Sequence, residues 1–366
     1  MIPSEKSGSG SKRKVNFAEN QMKGKELFVM VKEKVLIVLW TTSRCNLACK
    51  YCYAGSTHLK EDMDFETAAQ TLDLFSDQPM KVQFAGGEPL LNYPLICQVV
   101  DYVKAKKYNA SFQMQTNGTC ITPEIAAGLK KMKIALGVSL DGPPEVNEFT
   151  RGRTKDVIAG IGCLANEGIK INLNSVVTSH SVTQLPKLVS FAYYLGNVGG
   201  IGLDLLRDAG RARDQRAIIK KATPEQIKTA LTKMVETAEE LYRLTGKKIV
   251  IREVHEAKQR LKMTSCNKEY CYASCGRSYV VLPSGDVYPC GSLIENPKYF
   301  MGNVVKARPL KNVVIVKAES QGCKTCDYYS ICPGGCPSRL ILNDEKKQDT
   351  SLDCVLKKVA FKLAGQ

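Results

Sequence analysis

Three cysteines stand close together in the stretch TTSRCNLACKYCYAG, at positions 45, 49 and 52, and this stretch contains no histidine or fourth cysteine. Structural zinc and ordinary iron–sulfur clusters take four protein ligands, whereas a reactive metal keeps one coordination position open. The chain has 15 cysteines but only three histidines. Any metal site must therefore be built mainly from sulfur, which selects zinc or iron–sulfur. The triplet indicates the metal centre of an enzyme.

Composition limits the class of protein. The 366 residues are 44% hydrophobic and 24% charged, which suits a globular chain with one large domain and a smaller one. No apolar run reaches the roughly 20 residues that span a bilayer, and the N-terminus is polar and basic, so we expect a cytoplasmic protein with no membrane partner. The formal charge of +16 is spread along the whole chain. We interpret it as a solvated surface and expect no nucleic-acid partner.

Short β-branched runs alternate with amphipathic stretches over the first two thirds of the chain. The runs predicted as strands are VLIVLW (35–40), KVQFA (81–85), SFQMQ (111–115), IALGVSL (134–140), KINLNSVV (170–177) and GIGLDLL (200–206). Helical patterns separate several of them, at 65–75, 121–132 and 181–195, and a long helix is predicted over 224–246. Strand–helix alternation of this kind predicts a parallel sheet, either open or curled into a barrel.

The loops that follow the predicted strands have unusual compositions. The first carries the cysteine triplet, and the next three carry AGGEP (85–89), TNG (116–118) and DGPP (141–144). In parallel α/β folds these loops share one face, where the chemistry gathers. After about residue 262 cysteine, glycine and turn signals replace the alternation, and SYVVLPSGDVYPC (278–290) predicts a β-hairpin.

The spacing C-x3-C-x2-C, with Tyr51 just before the last cysteine, resembles the signature of the radical S-adenosylmethionine (SAM) enzymes. The resemblance implies that Cys45, Cys49 and Cys52 hold three irons of a [4Fe–4S] cluster. The fourth iron then binds the amino and carboxylate groups of SAM. A zinc knuckle that lacks one ligand, or three unconnected thiols, are the alternatives.

Further positions match the SAM contacts of that superfamily in the same order. Gly86, Gly87 and Glu88 resemble its second motif, in which glycines let the backbone approach the methionine amino group. Ser139 resembles the serine that contacts ribose, and Tyr51 the position whose backbone approaches adenine. Arg151 lies where related enzymes place a cation for the SAM carboxylate, with Arg153 as its neighbour and competitor. Asn117 supports the same face or is a plain turn asparagine.

The C-terminal cysteines resemble the SPASM extension of radical SAM enzymes, which holds two auxiliary [4Fe–4S] clusters. The resemblance assigns one cluster to Cys275, Cys290 and Cys336, and the other to Cys323, Cys326, Cys332 and Cys354. The fourth ligand of the first cluster is expected to be Cys271, with Cys266 or an open site for substrate as alternatives. The spacing of sulfatase maturases falls on Glu269 instead. Two zinc sites are the alternative for the whole region. Cys97, Cys120 and Cys163 are expected to be buried, inert thiols.

The resemblance implies an α/β fold, a partial (β/α)6 TIM-like barrel with a small cysteine-rich C-terminal SPASM domain that contains a β-hairpin. The expected organisation is a flexible polar tail (1–25), the radical SAM barrel (26–212), a helical connection (213–261) and the SPASM domain (262–366).

The implied function is a radical SAM maturase that generates a 5′-deoxyadenosyl radical and oxidatively modifies or crosslinks a side chain of a ribosomally made peptide or protein. Three [4Fe–4S] clusters, SAM and an external electron donor of the flavodoxin or ferredoxin type are expected. An enzyme acting on a tetrapyrrole or other cofactor precursor is the alternative, and a non-catalytic iron–sulfur electron-transfer protein is the alternative from another class.

The catalytic base is not assigned by the sequence. Formylglycine-forming sulfatase maturases carry an acidic residue directly after the hairpin cysteine and a glutamine before GGE. Here Gly291 follows Cys290, and Ala85 precedes the motif. Asp204 and Asp208 are candidates by position only.

Overall fold

One sheet of ten strands runs through the residues that the computed structural model describes, which are 33–54, 61–263, 269–306, 310–315, 320–345 and 350–366. The expected polar tail (1–25) lies outside them. The strands are β1 (Val35–Thr42), β2 (Met80–Gly86), β3 (Ala110–Thr116), β4 (Ala135–Ser139), β5 (Ile171–Val177), β6 (Val198–Leu205), β7 (Val250–Ile251), β8 (Ser278–Val281), β9 (Asp286–Tyr288) and β10 (Gly302–Asn303). Their order is β10-β9-β8-β1-β2-β3-β4-β5-β6-β7.

Helices connect the parallel strands, and further helices follow the last strand. They are α1 (Phe65–Asp73), α2 (Tyr93–Ala105), α3 (Pro123–Lys131), α4 (Pro144–Thr150), α5 (Thr154–Asn166), α6 (Leu185–Tyr194), α7 (Arg211–Asp214), α8 (Pro224–Thr245), α9 (Arg252–Leu261), α10 (Gln321–Lys324), α11 (Pro337–Leu342) and α12 (Leu352–Ala364). Local signals set their starts. Asp64 accepts from Thr67 N at 2.8 Å ahead of α1, and Thr223 forms a capping box with Gln226 ahead of α8.

The predicted α/β class with a mainly parallel sheet is confirmed, and each of the six predicted strands is present within two residues of its expected ends. Strands β1 to β7 pair in parallel, as crossover connections through helices require. The predicted hairpin is also present as β8 and β9, which pair antiparallel.

The hairpin joins the sheet of the first domain. Strand β8 pairs in parallel with β1, with Leu36 opposite Ser278 and Leu39 opposite Val281. Residues Glu33–Gln366 accordingly cluster as one compact unit. The domain boundaries at 212 and 262 remain predictions.

The two faces of the sheet differ in character. Alternate residues such as Ile37, Leu39 and Phe84 are buried beneath the helices and form the main apolar core. On the opposite face, Val38 and Trp40 pack with residues of the hairpin region in a separate apolar cluster. The carboxyl ends of the parallel strands all reach the same edge, where the predicted site loops lie. In the described ranges we find no helix with the length and apolarity needed to span a bilayer.

Candidate active site

The cysteine loop follows β1 and is tied to the end of α4 and the start of α7. Lys50 N donates to Thr150 O at 2.9 Å, and Arg211 Nε donates to Cys49 O at 2.9 Å. Burial raises the pKa of the Cys45 thiol to about 11, and the neighbouring Cys49 and Cys52 add to the effect. The structure therefore brings the three predicted ligands together. A bound cation would reverse the effect of burial, because metal ligation deprotonates a thiol.

The predicted glycines hold the cysteine loop against β2. Gly87 N donates to Thr42 O at 2.8 Å, and a Cβ at Gly87 would lie 2.1 Å from Arg44 O. Gly86 has a φ of +144°, and a Cβ there would lie 2.3 Å from Thr42 O. Only glycine fits this close contact of two backbones.

Glu88 fastens the loops after β2 and β3 to each other. Its fully buried carboxylate accepts from Thr116 Oγ1 at 2.6 Å and from Asn117 N at 2.7 Å. Burial raises the pKa of Glu88, although these donors oppose the shift. The Glu88 carboxylate is fully engaged in these hydrogen bonds. It does not line the cavity described below, whereas Gly86 does.

Asp141, which the sequence analysis missed as a functional residue, organises the predicted SAM contacts. Its fully buried carboxylate accepts from Tyr51 Oη, from Thr150 Oγ1 at 2.8 Å and from Val176 N at 2.9 Å. Arg151 Nε lies 3.1 Å from the same carboxylate, and the Arg151 side chain is only 11% exposed. Burial opposes the charge of Arg151, but Asp141 outweighs it and raises the pKa of the guanidinium.

Arg151 reaches the cysteine loop, whereas its competitor Arg153 does not. Arg151 Nη1 lies 3.9 Å from Cys49 Sγ, and its guanidinium lies over the Tyr51 ring at 5.3 Å. Arg153 pairs instead with Asp156 at 2.7 Å on the exposed surface. The structure thus favours Arg151 as the cation near the cysteines.

Asn117 and Ser139 have different environments. Asn117 Nδ2 donates to Asn46 Oδ1 at 2.9 Å, so this asparagine braces the cysteine loop rather than lining the cavity. Ser139 lines the cavity, and its hydroxyl accepts from Gln115 Nε2 at 3.0 Å. Cys120, expected to be inert, is half-buried and its sulfur accepts from Asn46 Nδ2 at 3.3 Å.

A cavity of ≈ 920 Å³, which we call the reaction cavity, joins the cysteine loop to the C-terminal region. Its walls include Cys49, Cys52, Ser139 and Arg151 on one side, and Cys336 on the other. Its volume lies in the range of small-molecule and cofactor sites. Four of the predicted SAM contacts, Tyr51, Gly86, Ser139 and Arg151, therefore face the same space as one predicted auxiliary-cluster cysteine.

The C-terminal cysteines fall into two groups. Burial raises the pKa of Cys271, and the nearby thiols of Cys336 and Cys290 contribute to that shift. Cys275 lies beside them, with its Sγ 3.7 Å from Cys271 O, and Arg277 Nε donates to Cys275 Sγ at 3.1 Å. Cys266 lies outside the described residues. Glu269, where the sulfatase-maturase spacing falls, pairs with Arg277 at 2.8 Å.

The second group is centred on α12. Burial raises the pKa of Cys354 to about 11, with contributions from Cys323, Cys332 and Cys326. Among the described residues, no three His, Cys, Asp or Glu side chains converge closely enough to hold a single metal ion.

A buried charge network beside Cys336 was also missed. Asp353 accepts from Cys336 N at 3.0 Å and pairs with Arg339 at 2.6 Å, both charged side chains being 3% exposed. Arg339 also pairs with Asp204, whose second partner is Arg207 at 2.5 Å. Asp204 faces the reaction cavity, whereas Asp208 pairs with Arg216 and does not line it. Nothing local in the sequence links positions 204, 339 and 353, so only the fold reveals the network.

Known proteins share both the sequence and the fold. A model of the radical SAM superfamily matches residues 41–191. An uncharacterized protein of Methanocaldococcus jannaschii is 32% identical over 302 residues, which are 80% of this chain and 95% of that protein. The mycofactocin maturase MftC of Mycobacterium tuberculosis is 30% identical over 319 residues, or 81% of this chain and 76% of MftC. This chain belongs to the radical SAM superfamily.

Two further relatives extend the comparison. The AdoMet-dependent heme synthase of Nitratidesulfovibrio vulgaris is 25% identical over 334 residues, which cover 83% of this chain and 87% of that enzyme. The structure of anSMEcpe with bound AdoMet and the Cp18Cys peptide superimposes with a TM-score of 0.74 at 21% identity, covering 91% of this chain and 96% of that one. The likeness to anSMEcpe establishes the shared partial-barrel fold.

Membership in the radical SAM superfamily implies a [4Fe–4S] cluster and SAM, and the local structure fits both. The cysteine loop offers three thiols beside an opening into the reaction cavity. Gly86 and Gly87 keep the backbone of this loop free of side chains, because any larger residue at either position would collide with the backbone of the neighbouring segment. Arg151 supplies a buried positive charge for a carboxylate. The protein is therefore a radical SAM enzyme.

Proposed function

We propose that this radical SAM enzyme is a maturase that oxidatively modifies or crosslinks a side chain of a ribosomally made peptide or protein. The observation that carries the proposal is the reaction cavity, which faces Cys49 and Cys52 at one end and Cys336 at the other. A substrate in this space would lie between the SAM site and a C-terminal cysteine group. This arrangement suits removal of a hydrogen atom at one end and of an electron at the other.

In this proposal Cys45, Cys49 and Cys52 hold the SAM-binding cluster, and Gly86, Ser139, Arg151 and the backbone of Tyr51 contact SAM. Glu88 and Asn117 act indirectly, since their hydrogen bonds fix the loops around the cluster. When bound there, the cluster and SAM would supply the radical chemistry that removes hydrogen from the substrate. The buried Asp141–Arg151–Tyr51 group fixes the orientation of the cavity wall before substrate binds.

We further propose two auxiliary [4Fe–4S] clusters. One would use Cys271, Cys275, Cys290 and Cys336, and the other Cys323, Cys326, Cys332 and Cys354. The division is supported by the influence of Cys290 and Cys336 on Cys271, by the contact of Cys275 Sγ with Cys271 O, and by the influence of Cys323, Cys326 and Cys332 on Cys354. Arg207 Nη2 lies 3.8 Å from Cys336 Sγ, where it would stabilise a cluster thiolate. An external donor of the flavodoxin or ferredoxin type would supply the electron for SAM cleavage.

Peptide chemistry is favoured by two relatives. MftC is named a maturase, and anSMEcpe binds a peptide together with AdoMet. The second candidate is an enzyme that acts on a tetrapyrrole, which the heme synthase relative favours. Shape alone fits either substrate, because a cavity of ≈ 920 Å³ accepts a peptide side chain with its neighbours or a macrocycle.

The test begins with anaerobically reconstituted protein, SAM and a reductant. The 5′-deoxyadenosine formed is measured for the wild type, for Cys45→Ala and for Cys163→Ala as a matched cysteine control. We expect product from the wild type and the control but none from Cys45→Ala. The latter should still retain about eight iron atoms, because two four-iron clusters remain. A wild type that forms no 5′-deoxyadenosine would contradict the proposed reaction and favour the electron-transfer alternative.

The substrate class is tested with short peptides encoded beside the gene and, in parallel, with iron coproporphyrin. The peptide proposal predicts a mass change in a peptide that depends on SAM and on Cys45. A change in the tetrapyrrole with all peptides unaltered would replace the proposal by its alternative.

A further inference from the structure

A second chamber of ≈ 520 Å³ lies on the inner face of the sheet, toward the amino ends of the strands. It shares four wall residues with the reaction cavity, namely Gln115, Asn174, Arg252 and His255. The two spaces are therefore neighbours that meet at this ring of polar side chains. The SAM contacts lie on the reaction-cavity side of the ring.

The inner face of the sheet is polar where it lines the second chamber. The strand register sets Gln83 beside Gln113, and sets Gln115, Gly137, Asn172 and Gly200 side by side across β3, β4, β5 and β6. Closed α/β barrels fill this position with layers of branched apolar side chains. Amides and glycines in the same rows leave a space lined by hydrogen-bonding groups.

The inner face is apolar at β1, where the hairpin region covers it. The register puts Leu36 and Val38 of β1 beside Lys81 and Gln83 of β2, so these four side chains share the inner face. Val38 packs in the cluster formed with the hairpin region. The sequence thus provides apolar residues where the C-terminal region covers the sheet and polar residues where the chamber remains.

Glycines allow polar side chains to cross the chamber. A Cβ at Gly137 would lie 2.4 Å from Gln115 Oε1, and a Cβ at Gly202 would lie 2.3 Å from Arg252 Nη1. Gln115 in turn accepts from Asn174 Nδ2 at 2.5 Å, and Arg252 Nη1 donates to Asn174 Oδ1 at 3.3 Å. The ring between the two spaces is therefore held by side-chain hydrogen bonds, and polar atoms of a ligand can take the place of the partners in these bonds.

The chamber carries positive charge. Its described wall residues include Lys81 and Arg252 but no acidic side chain. Arg252 is balanced by Glu253 at 2.7 Å, which lies on the reaction-cavity side. Lys81 is half-buried and forms no ion pair with any described residue, and burial together with nearby Lys34 lowers its pKa. A bound anion would relieve the electrostatic cost of holding this ammonium group.

We propose that the second chamber is a substrate subsite for a carboxylate-bearing arm, with the amides of β2, β3 and β5 binding the polar chain and Lys81 binding the carboxylate. The proposal rests on the proposed function, because it requires the rest of the substrate to lie in the reaction cavity. A peptide C-terminus, an acidic peptide side chain and a tetrapyrrole propionate share this chemistry.

The test measures binding to the reconstituted holoprotein by retention on a filter, followed by mass spectrometry. Four probes are compared: octapeptide pools without Asp or Glu that end in a free carboxylate, amidated pools with Asp and Glu, amidated pools without them, and coproporphyrin III. The variants are Lys81→Gln, Lys81→Arg and Lys104→Gln, the last being an exposed lysine on α2 that serves as the matched control.

We expect at least one carboxylate probe to be retained about tenfold better than the neutral pool, as for one hydrogen-bonded charge pair. Lys81→Gln should remove that preference, whereas Lys81→Arg and Lys104→Gln should keep it. The probe whose retention falls in Lys81→Gln identifies the source of the carboxylate. Equal retention of acidic and neutral probes, or a preference that survives Lys81→Gln, would overturn the subsite. Because retention needs no SAM cleavage, it is independent of the 5′-deoxyadenosine assay that tests the proposed function.

Discussion

The Asp141→Asn substitution tests whether one buried carboxylate holds the SAM-binding wall together. Asparagine has nearly the same shape, but it presents an NH₂ group to one of the donors that Asp141 now satisfies. In one orientation this NH₂ faces Arg151 Nε and Thr150 Oγ1, and in the other it faces Val176 N. Either orientation removes the negative charge that neutralises a buried guanidinium.

The expected cost follows from burial of both partners, since Asp141 is fully buried and the Arg151 side chain is 11% exposed. Breaking a buried ion pair by removing one charge costs about 3–5 kcal/mol. We adopt about 3 kcal/mol, because an asparagine oxygen keeps part of the hydrogen bonding. With a urea dependence of about 3 kcal/mol per M for a chain of this size, the unfolding midpoint should fall by about 1 M.

The assay is urea unfolding of the cluster-free protein at neutral pH, so that iron content does not enter. Asp156→Asn is the matched control, because Asp156 pairs with Arg153 at 2.7 Å with both side chains about half exposed. Such a surface pair is worth at most about 0.5 kcal/mol, and the midpoint should hardly move. Equal shifts for the two variants would refute the argument that Asp141 neutralises a buried cation.

Three further predictions concern other parts of the site. Gly87→Ala should lower the iron bound by the cysteine loop, because its Cβ would lie 2.1 Å from Arg44 O; Gly162→Ala, whose Cβ meets nothing within 4 Å, should keep the iron and raise helix stability by about 0.5–1 kcal/mol. Cys271→Ala should lower the total iron and leave 5′-deoxyadenosine formation without substrate intact; an unchanged iron content would exclude Cys271 as a ligand. Burial disfavours the Asp204 carboxylate, but Arg207 and Arg339 outweigh it and hold its pKa below the usual value. Its contribution to stability is therefore present above pH ~3.9 and lost as the pH falls through the folded-state pKa. Asp204→Asn should flatten the acid dependence of the urea midpoint below pH ~4, and an unchanged slope would contradict this assignment.

The sequence predicted what depends on local pattern. The run VLIVLW is short, apolar and rich in β-branched residues, which favours a buried strand, and β1 begins at Val35. The long helix ends where Gly246 adopts a positive φ, as a helix-terminating glycine does. The three cysteines at 45, 49 and 52 also form a local pattern, since they lie within eight residues, and the sequence therefore predicted them in one loop.

What the sequence did not reveal depends on contacts between distant segments. Strand β8 pairs with β1, from which it is separated by more than 200 residues, and no local signal specifies that partner. The preference for Arg151 over Arg153 came from the family resemblance. The fold adds a physical reason, because Arg151 reaches Cys49 whereas Arg153 pairs with Asp156 on the surface. Asp141 was predicted only as part of the site loop DGPP (141–144), with no role of its own. The sequence signal that could have identified Asp141 is its position between Ser139 and Arg151, which were both already assigned to the site.

The position after Cys290 limits the reaction. Sulfatase maturases carry an acidic residue there, and in this chain a Cβ at Gly291 would lie 3.1 Å from Trp40 Cζ3. Trp40 is buried in the apolar cluster that Val38 and Trp40 form with the hairpin region, so a carboxylate at 291 would need the tryptophan to move.

Asp204 does not replace this base, although it faces the reaction cavity. An efficient base has a pKa near the working pH, whereas two arginines hold Asp204 far below it. Asp204 is therefore suited to orient Arg207 and Arg339 beside Cys336. We accordingly expect an oxidation or crosslink other than formylglycine formation, and carbon–sulfur and carbon–carbon crosslinks are among the products to seek.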